Sequence, residues 1–196
     1  AGLGMMERMT LANMAAELGA QTGIVEPDET TAAYVQSAGA DPGDWQAFRS
    51  DEGADYLTTH DFSANELEPQ VAAPHSPSNA VDVGDADKAH IDQFYIGACT
   101  GANLNDLEMA ASVLKGRHVA PGKRLTVAPA SARILAEAMR NGTMQIIMDA
   151  GANLLPTGCG ACAGYGVGTL AEDEVRPAST ARNFQGRMGA KTSKVY

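Results

Sequence analysis

Cys99, Cys159 and Cys162 are the only cysteines in the chain. The first stands in Gly97-Ala98-Cys99-Thr100-Gly101, directly after an apolar run that reads as a strand. The other two form Gly158-Cys159-Gly160-Ala161-Cys162, a CxxC with glycine before and between the sulfurs. One remote thiol and two close ones can bind three corners of a cubane iron–sulfur cluster, leaving the fourth iron open to substrate as a Lewis acid. The run from Gly158 to Gly164 carries almost no side-chain bulk, so its backbone can wrap closely around a group.

Other readings of the same thiols stand beside that one. Free cysteine is often a small core residue. Structural zinc wants four ligands, and His60, His75, His90 and His118 have no telling spacing to the sulfurs. A thioredoxin-like CxxC normally follows a strand and opens a helix near the start of its domain. That reading predicts a Cys159–Cys162 disulfide and leaves Cys99 unexplained.

The elements that must position these residues fall into two styles. Residues 4–19 read as a helix, with Gly19 as stop, and Asn13 and Glu17 lie one turn apart on one face. Asp28 caps a second helix over 29–37. Residues 39–56 are polar and turn-rich, anchored by Trp45 and Phe48, and 58–68 reads as an edge strand. The prolines, serines and aspartates of 69–90 indicate an extended connection with little regular structure, and a domain boundary falls there. Beyond it strand and helix alternate. The strands are Gln93–Ala98, Arg124–Ala128 and Asn153–Leu155, and the helices Asn105–Leu114, Ser131–Arg140 and Met144–Ala150. This pattern predicts an α/β fold with a mainly parallel sheet flanked by helices. Cys99 then falls at the C-terminal end of its strand, where open α/β sheets carry their sites.

Composition sets outer limits. A chain of 196 residues with 44% hydrophobic and 19% charged residues suits a globular, soluble protein. Its formal charge of −10 disfavours nucleic acid and anionic membranes as partners. No apolar stretch approaches the roughly 18 residues of a membrane span, and no signal-peptide pattern opens the sequence. An odd cysteine count fits a reducing cytoplasm better than a disulfide framework.

At the level of motifs the chain resembles the large subunit of the aconitase superfamily, in the 3-isopropylmalate dehydratase and homoaconitase branch. The resemblance is carried by the run from Arg8 to Ala20, by Pro27-Asp28-Glu29-Thr30-Thr31, by Leu67-Glu68-Pro69-Gln70-Val71 and by Pro74-His75-Ser76-Pro77-Ser78-Asn79. It continues through the Cys99 and Cys159/Cys162 motifs to the stretch Ser179-Thr180-Ala181-Arg182-Asn183-Phe184-Gln185-Gly186-Arg187. Each is weak alone; their order and spacing together are specific.

The resemblance implies an aconitase-like iron–sulfur domain in which Cys99, Cys159 and Cys162 hold a 4Fe-4S cluster. It implies that Arg182 and Arg187 grip substrate carboxylates, which suits the planar fork of a guanidinium. It implies that Asn13 and Glu17 lie beside the cluster as catalytic residues. The expected reaction is reversible dehydration of a hydroxy-di- or tricarboxylate, 3-isopropylmalate first, with citrate, homocitrate and dimethylmalate analogues as alternatives. A non-catalytic iron–sulfur sensor is the reading from another class. Residues 1–68 are expected to be part of one α/β domain, 69–90 a connection, and 91–196 the domain carrying the cysteines.

Two departures are visible. The family usually has Ser-Cys-Thr-Asn where this chain has Ala98-Cys99-Thr100-Gly101, and a polar residue where Ala181 precedes Arg182. Both point to a less typical substrate or a divergent subfamily. The family's upstream histidine and aspartate, and its swivelling domain with a serine base, have no counterpart here. The expectation is therefore a piece of a larger enzyme, partnered by the rest of the large subunit and by a small swivel-domain subunit.

Overall fold

The computed structural model describes residues 2–196 and divides the chain into two units, the first ending at Glu68 and the second running Pro69–Tyr196.

In the first unit, α1 (Met5–Met14) starts where the Gly4 N–H donates to Glu7 Oε2 at 2.6 Å, covering a donor that the first helical turn leaves open. It passes into a 3₁₀ turn, Ala15–Leu18, closed by Gly19 in the left-handed conformation. Asp28 caps α2 (Glu29–Ser37) by accepting from the Thr30 and Thr31 amides at 2.9 and 3.3 Å. The same carboxylate takes both ends of the Arg8 fork, at 2.7 and 2.8 Å, and so ties α1 to α2. Arg8 is the one buried residue of this unit among those described. Phe48, expected as an anchor, is 77% exposed because no core forms around the 3₁₀ turn Trp45–Phe48 that carries it. Residues 58–68 form no strand; they hold a 3₁₀ turn, Ala64–Glu66.

The second unit opens with a short antiparallel hairpin, β1 (Gln70–Ala72) against β2 (Ala80–Asp82). Its turn is closed by the Ala73 amide on the Asn79 carbonyl at 2.9 Å. The stretch expected to be without regular structure thus satisfies its backbone groups by pairing with itself.

Strand and helix then alternate as the pattern predicted: β3 (Gln93–Gly97), α3 (Leu104–Leu114), β4 (Arg124–Ala128), α4 (Ala132–Arg140), α5 (Thr143–Asp149) and β5 (Asn153–Leu154). The sheet order is β3-β4-β5, all parallel, with Gln93 opposite Arg124 and Thr126 opposite Asn153. Strand alternation separates two cores. Ile96, Leu125 and Val127 join Leu107, Ala138, Met144 and Ile147 of the three helices. Tyr95 and Ala128 join Leu155, Cys162, Leu170, Met188 and Val195 of the C-terminal segment. That segment is held by a two-residue parallel pair, β6 (Val175–Arg176) and β7 (Lys194–Val195). The fold is α/β. Among the described residues no helix is long and apolar enough to cross a membrane.

Candidate active site

Three chain segments meet at the C-terminal ends of the parallel strands. The first turns at Ala98, which is 1% exposed and takes φ +66°, a left-handed conformation unusual for alanine. This turn throws Cys99 outward between β3 and α3, where it is exposed. Its carbonyl accepts from Asn103 Nδ2 at 3.1 Å, and Asn103 in turn starts α3 with its own amide on Asp106 Oδ2 at 2.9 Å.

The second segment leaves β5. Gly158 donates to the Pro129 carbonyl at the end of β4, at 3.1 Å, and takes φ +107°, which only glycine accepts readily. The CxxC that follows is a 3₁₀ turn, Gly160–Ala163, with the Cys162 amide on the Cys159 carbonyl at 2.8 Å. Cys159 is exposed and Cys162 buried. Both are free thiols, as is Cys99, so the disulfide of the thioredoxin-like reading is not formed.

The third segment is the arginine loop after β6. Ser179 accepts from the Gly97 amide at 3.0 Å and donates to the Gly101 carbonyl at 2.7 Å, fastening this loop to the cysteine turn. Asn183, buried, donates to the carbonyls of Ala72, Ala73 and Val195 at 3.1, 2.9 and 3.1 Å. His75 forms a parallel bridge with Phe184. The proline-rich motif of residues 74–79 is therefore seated beside the arginines.

Cys162 is the thiol on which the other charged groups of the site act. Burial pushes the Cys162 thiol up, the Arg187 guanidinium pulls it down by charge and by hydrogen bond, and Cys159 and Cys99 push it up again. The Arg187 Nε is buried without a hydrogen-bond partner. Arg182 is half-buried and lines a cavity of about 300 Å³ with Gln70, Thr180, Asn183 and Tyr196. Asn13 stands exposed on the last turn of α1, and Glu17 half-buried on the 3₁₀ turn after it, both in the first unit.

Two residues here escaped sequence reasoning. Tyr95, 1% exposed, points its hydroxyl at the Cys159 carbonyl at 3.5 Å, and burial first of all pushes its phenol up to about 12. Arg176, fully buried, lies over the Tyr95 ring with its Cζ 5.2 Å from the centroid. Tyr95 looked like an ordinary strand residue, and Arg176 carried no motif of its own.

Among the described residues, no three of His, Cys, Asp and Glu stand together as ligands for one metal ion. A cubane makes a different demand. Each thiolate binds its own iron, so the sulfurs stand farther apart than around a single ion. Three free thiols, two exposed and the buried Cys162 within range of the charge of both, and the open space beside Gly158 and Gly160 fit that demand.

The profile of the aconitase family (aconitate hydratase) matches residues 1–93 and 84–196. The chain is 44% identical over 196 residues to 3-isopropylmalate dehydratase large subunit 1 of Pyrococcus furiosus, covering 99% of this chain and 46% of the relative. It is 46% identical over 194 residues to a probable methanogen homoaconitase large subunit of Methanosarcina mazei, covering 99% of this chain and 48% of the relative. A 3-isopropylmalate dehydratase large subunit of Sulfurihydrogenibium sp. is 42% identical over 189 residues, 96% of this chain and 43% of the relative. The chain thus spans about half the length of the curated relatives it matches.

Proposed function

The chain belongs to the aconitase family, a family of iron–sulfur hydro-lyases, and from that premise we propose that it supplies the cluster-bearing part of a 4Fe-4S-dependent dehydratase acting on a hydroxy-di- or tricarboxylate. The observation that carries this reading is the setting of Cys162. It is a buried thiol influenced by Cys99, Cys159 and the Arg187 guanidinium, at the strand ends where α/β sheets hold ligands. In this reading residues 91–196 make the iron–sulfur domain, with Cys99, Cys159 and Cys162 as its ligands. Bound there, the cluster would supply a Lewis-acidic iron for the loss and re-addition of water.

This chain's own residues do the rest of the binding work. Arg182, at its cavity, and Arg187, beside Cys162, offer forked donors for two carboxylates. A guanidinium clamped on the carboxylate next to the carbon that loses its proton also spreads the negative charge developing there. Asn13 and Glu17 are the polar pair that would attend the departing water.

3-Isopropylmalate is the first substrate to test, in line with the names of relatives at 44% and 42% identity. A homoaconitase substrate is the alternative, favoured by the relative at 46%. The remaining half of a large subunit and a small subunit are the partners this reading requires, in a reducing cytoplasm that keeps the three thiols free.

The test is anaerobic reconstitution of the chain with ferrous iron and sulfide. The expected result is a broad visible absorption and about four irons and four sulfides per chain, lost in Cys99→Ser, Cys159→Ser and Cys162→Ser. A folded chain that takes up no iron sinks the proposal.

A further inference from the structure

Arg176 is 0% exposed, yet among the described residues it makes no ion pair. Its guanidinium donates to Gln93 Oε1, to the Gly168 carbonyl and, at 3.7 Å, to Met188 Sδ. Its Nε has no hydrogen-bond partner. Every one of these partners is neutral. Glu174 acts on the guanidinium by charge from a distance, but that carboxylate is paired with Arg124, whose own charge opposes it at Arg176. Tyr95, stacked beneath the guanidinium, keeps its proton at neutral pH and adds no counter-charge. A buried cation without an anion is costly, and folded proteins usually pair it.

The cysteine site offers a place for the missing anion. Tyr95 joins Arg176 to the cysteines: the guanidinium lies over its ring and its hydroxyl faces the Cys159 carbonyl. Cys162 also acts on Arg176 by charge, after burial, Tyr95, Arg124 and Glu174. From this geometry we infer that Arg176 is the buried counter-charge of the three-thiolate cluster, holding its reduction potential up from behind while Arg187 stands at its sulfur. The inference rests on the cluster reading above. Three thiolates give the cluster site a net negative charge, and a fixed cation in a dry interior stabilises each added electron. Gln93, itself 1% exposed, keeps the guanidinium uncompensated because it is an amide and not a carboxylate.

Three variants of the full chain test this after anaerobic loading with ferrous iron and sulfide. Arg176→Gln removes the charge. Arg176→Lys keeps it. Gln93→Glu leaves the shape of the site and neutralises the guanidinium where it stands, so it decides the matter if Arg176→Gln does not fold. Potentiometric titration followed by electron paramagnetic resonance reads the midpoint of the reduced cluster. The expected result is a more negative midpoint in Arg176→Gln and Gln93→Glu and a midpoint close to that of the unaltered chain in Arg176→Lys. A folded Gln93→Glu chain, with an unchanged thermal midpoint, that no longer takes up four irons would support the same conclusion. A purely structural role for Arg176 would move the thermal midpoint and leave the potential alone. Loaded variants with unchanged potentials overturn this inference only. An unaltered chain that takes up no iron overturns the cluster reading and this one with it.

Discussion

Ser179 occupies the space that a side chain on Gly101 would need. A Cβ built on Gly101 would lie 2.0 Å from the Ser179 carbonyl oxygen and 2.6 Å from its Oγ, while the Ser179 hydroxyl donates to the Gly101 carbonyl at 2.7 Å. The glycine that departs from the family's asparagine is therefore a packing requirement of this chain. The arginine loop sits directly on the cysteine turn, and the departure removes a side chain where the two segments touch.

Gly101→Ala and Gly101→Asn should each destabilise the second unit by about 1–3 kcal/mol, because neither backbone can yield by an ångström without breaking the Ser179 bonds. Urea unfolding measures this. An Asn variant as stable as the unaltered chain would show that the Ser179 segment is free to move aside.

In the proposed cluster site, iron loading at Cys162 should follow a pH dependence set by two opposed influences. Burial raises its thiol and Arg187 lowers it. A raised thiol favours the protonated form in the fold. Stability from this group is therefore present below the ordinary thiol range and lost as pH rises through the folded value. Cluster assembly needs the thiolate. The rate of anaerobic loading should rise toward alkaline pH, and in Arg187→Gln that rise should move to higher pH. Identical profiles in the two proteins would separate Arg187 from Cys162.

Arg8 and Asp28 make the first unit acid-sensitive. The Arg8 hydrogen bond, followed by the Thr31 and Thr30 amides and the Arg8 charge, holds the Asp28 carboxyl well below the usual carboxylate range. The depressed carboxyl contributes stability that is complete above the unfolded value of about 3.9 and is lost as pH falls from there toward the folded value. Asp28→Asn should lower the melting temperature at neutral pH and flatten the acid limb of the stability curve. An unchanged acid limb would mean that other carboxylates govern it.

The helical side of the sheet offers a control in the core that does not contain the buried thiol. Leu107 is 0% exposed between α3 and the sheet, and Leu107→Ala should cost about 2–5 kcal/mol. Ser131 caps α4 by accepting from the Ile134 amide at 3.3 Å, and Ser131→Ala should cost about 1 kcal/mol. Thermal unfolding with and without bound iron should show these losses and leave the iron content of the folded chain unchanged. Iron lost in proportion to stability would instead couple the two cores.

Local signals made much of the second unit legible. β4 follows its sequence reading to the residue, β3 stops one residue short of it, and Ser131 caps α4 as read. Apolar periodicity and caps act within a few residues, so a sequence displays them. The pairs of β1 with β2 and of β6 with β7 were not legible. They span two or three residues each, too few to show an alternation, and form only because distant segments come together. Phe48 was misread for a related reason, since an aromatic residue signals burial only where a core exists to receive it.

The chemistry available to this protein was determined by its sequence: three thiols in a 1 + 2 arrangement, two guanidinium groups in one loop, and the family to which their order belongs. Donor type is a property of the side chain and needs no fold to be read. Which thiol is buried, which arginine faces it, and that Arg176 lies buried among neutral partners behind Tyr95 were decided by the tertiary structure alone. Burial and electric field depend on residues far apart in sequence, 83 positions between Arg176 and Gln93, and no local pattern encodes them.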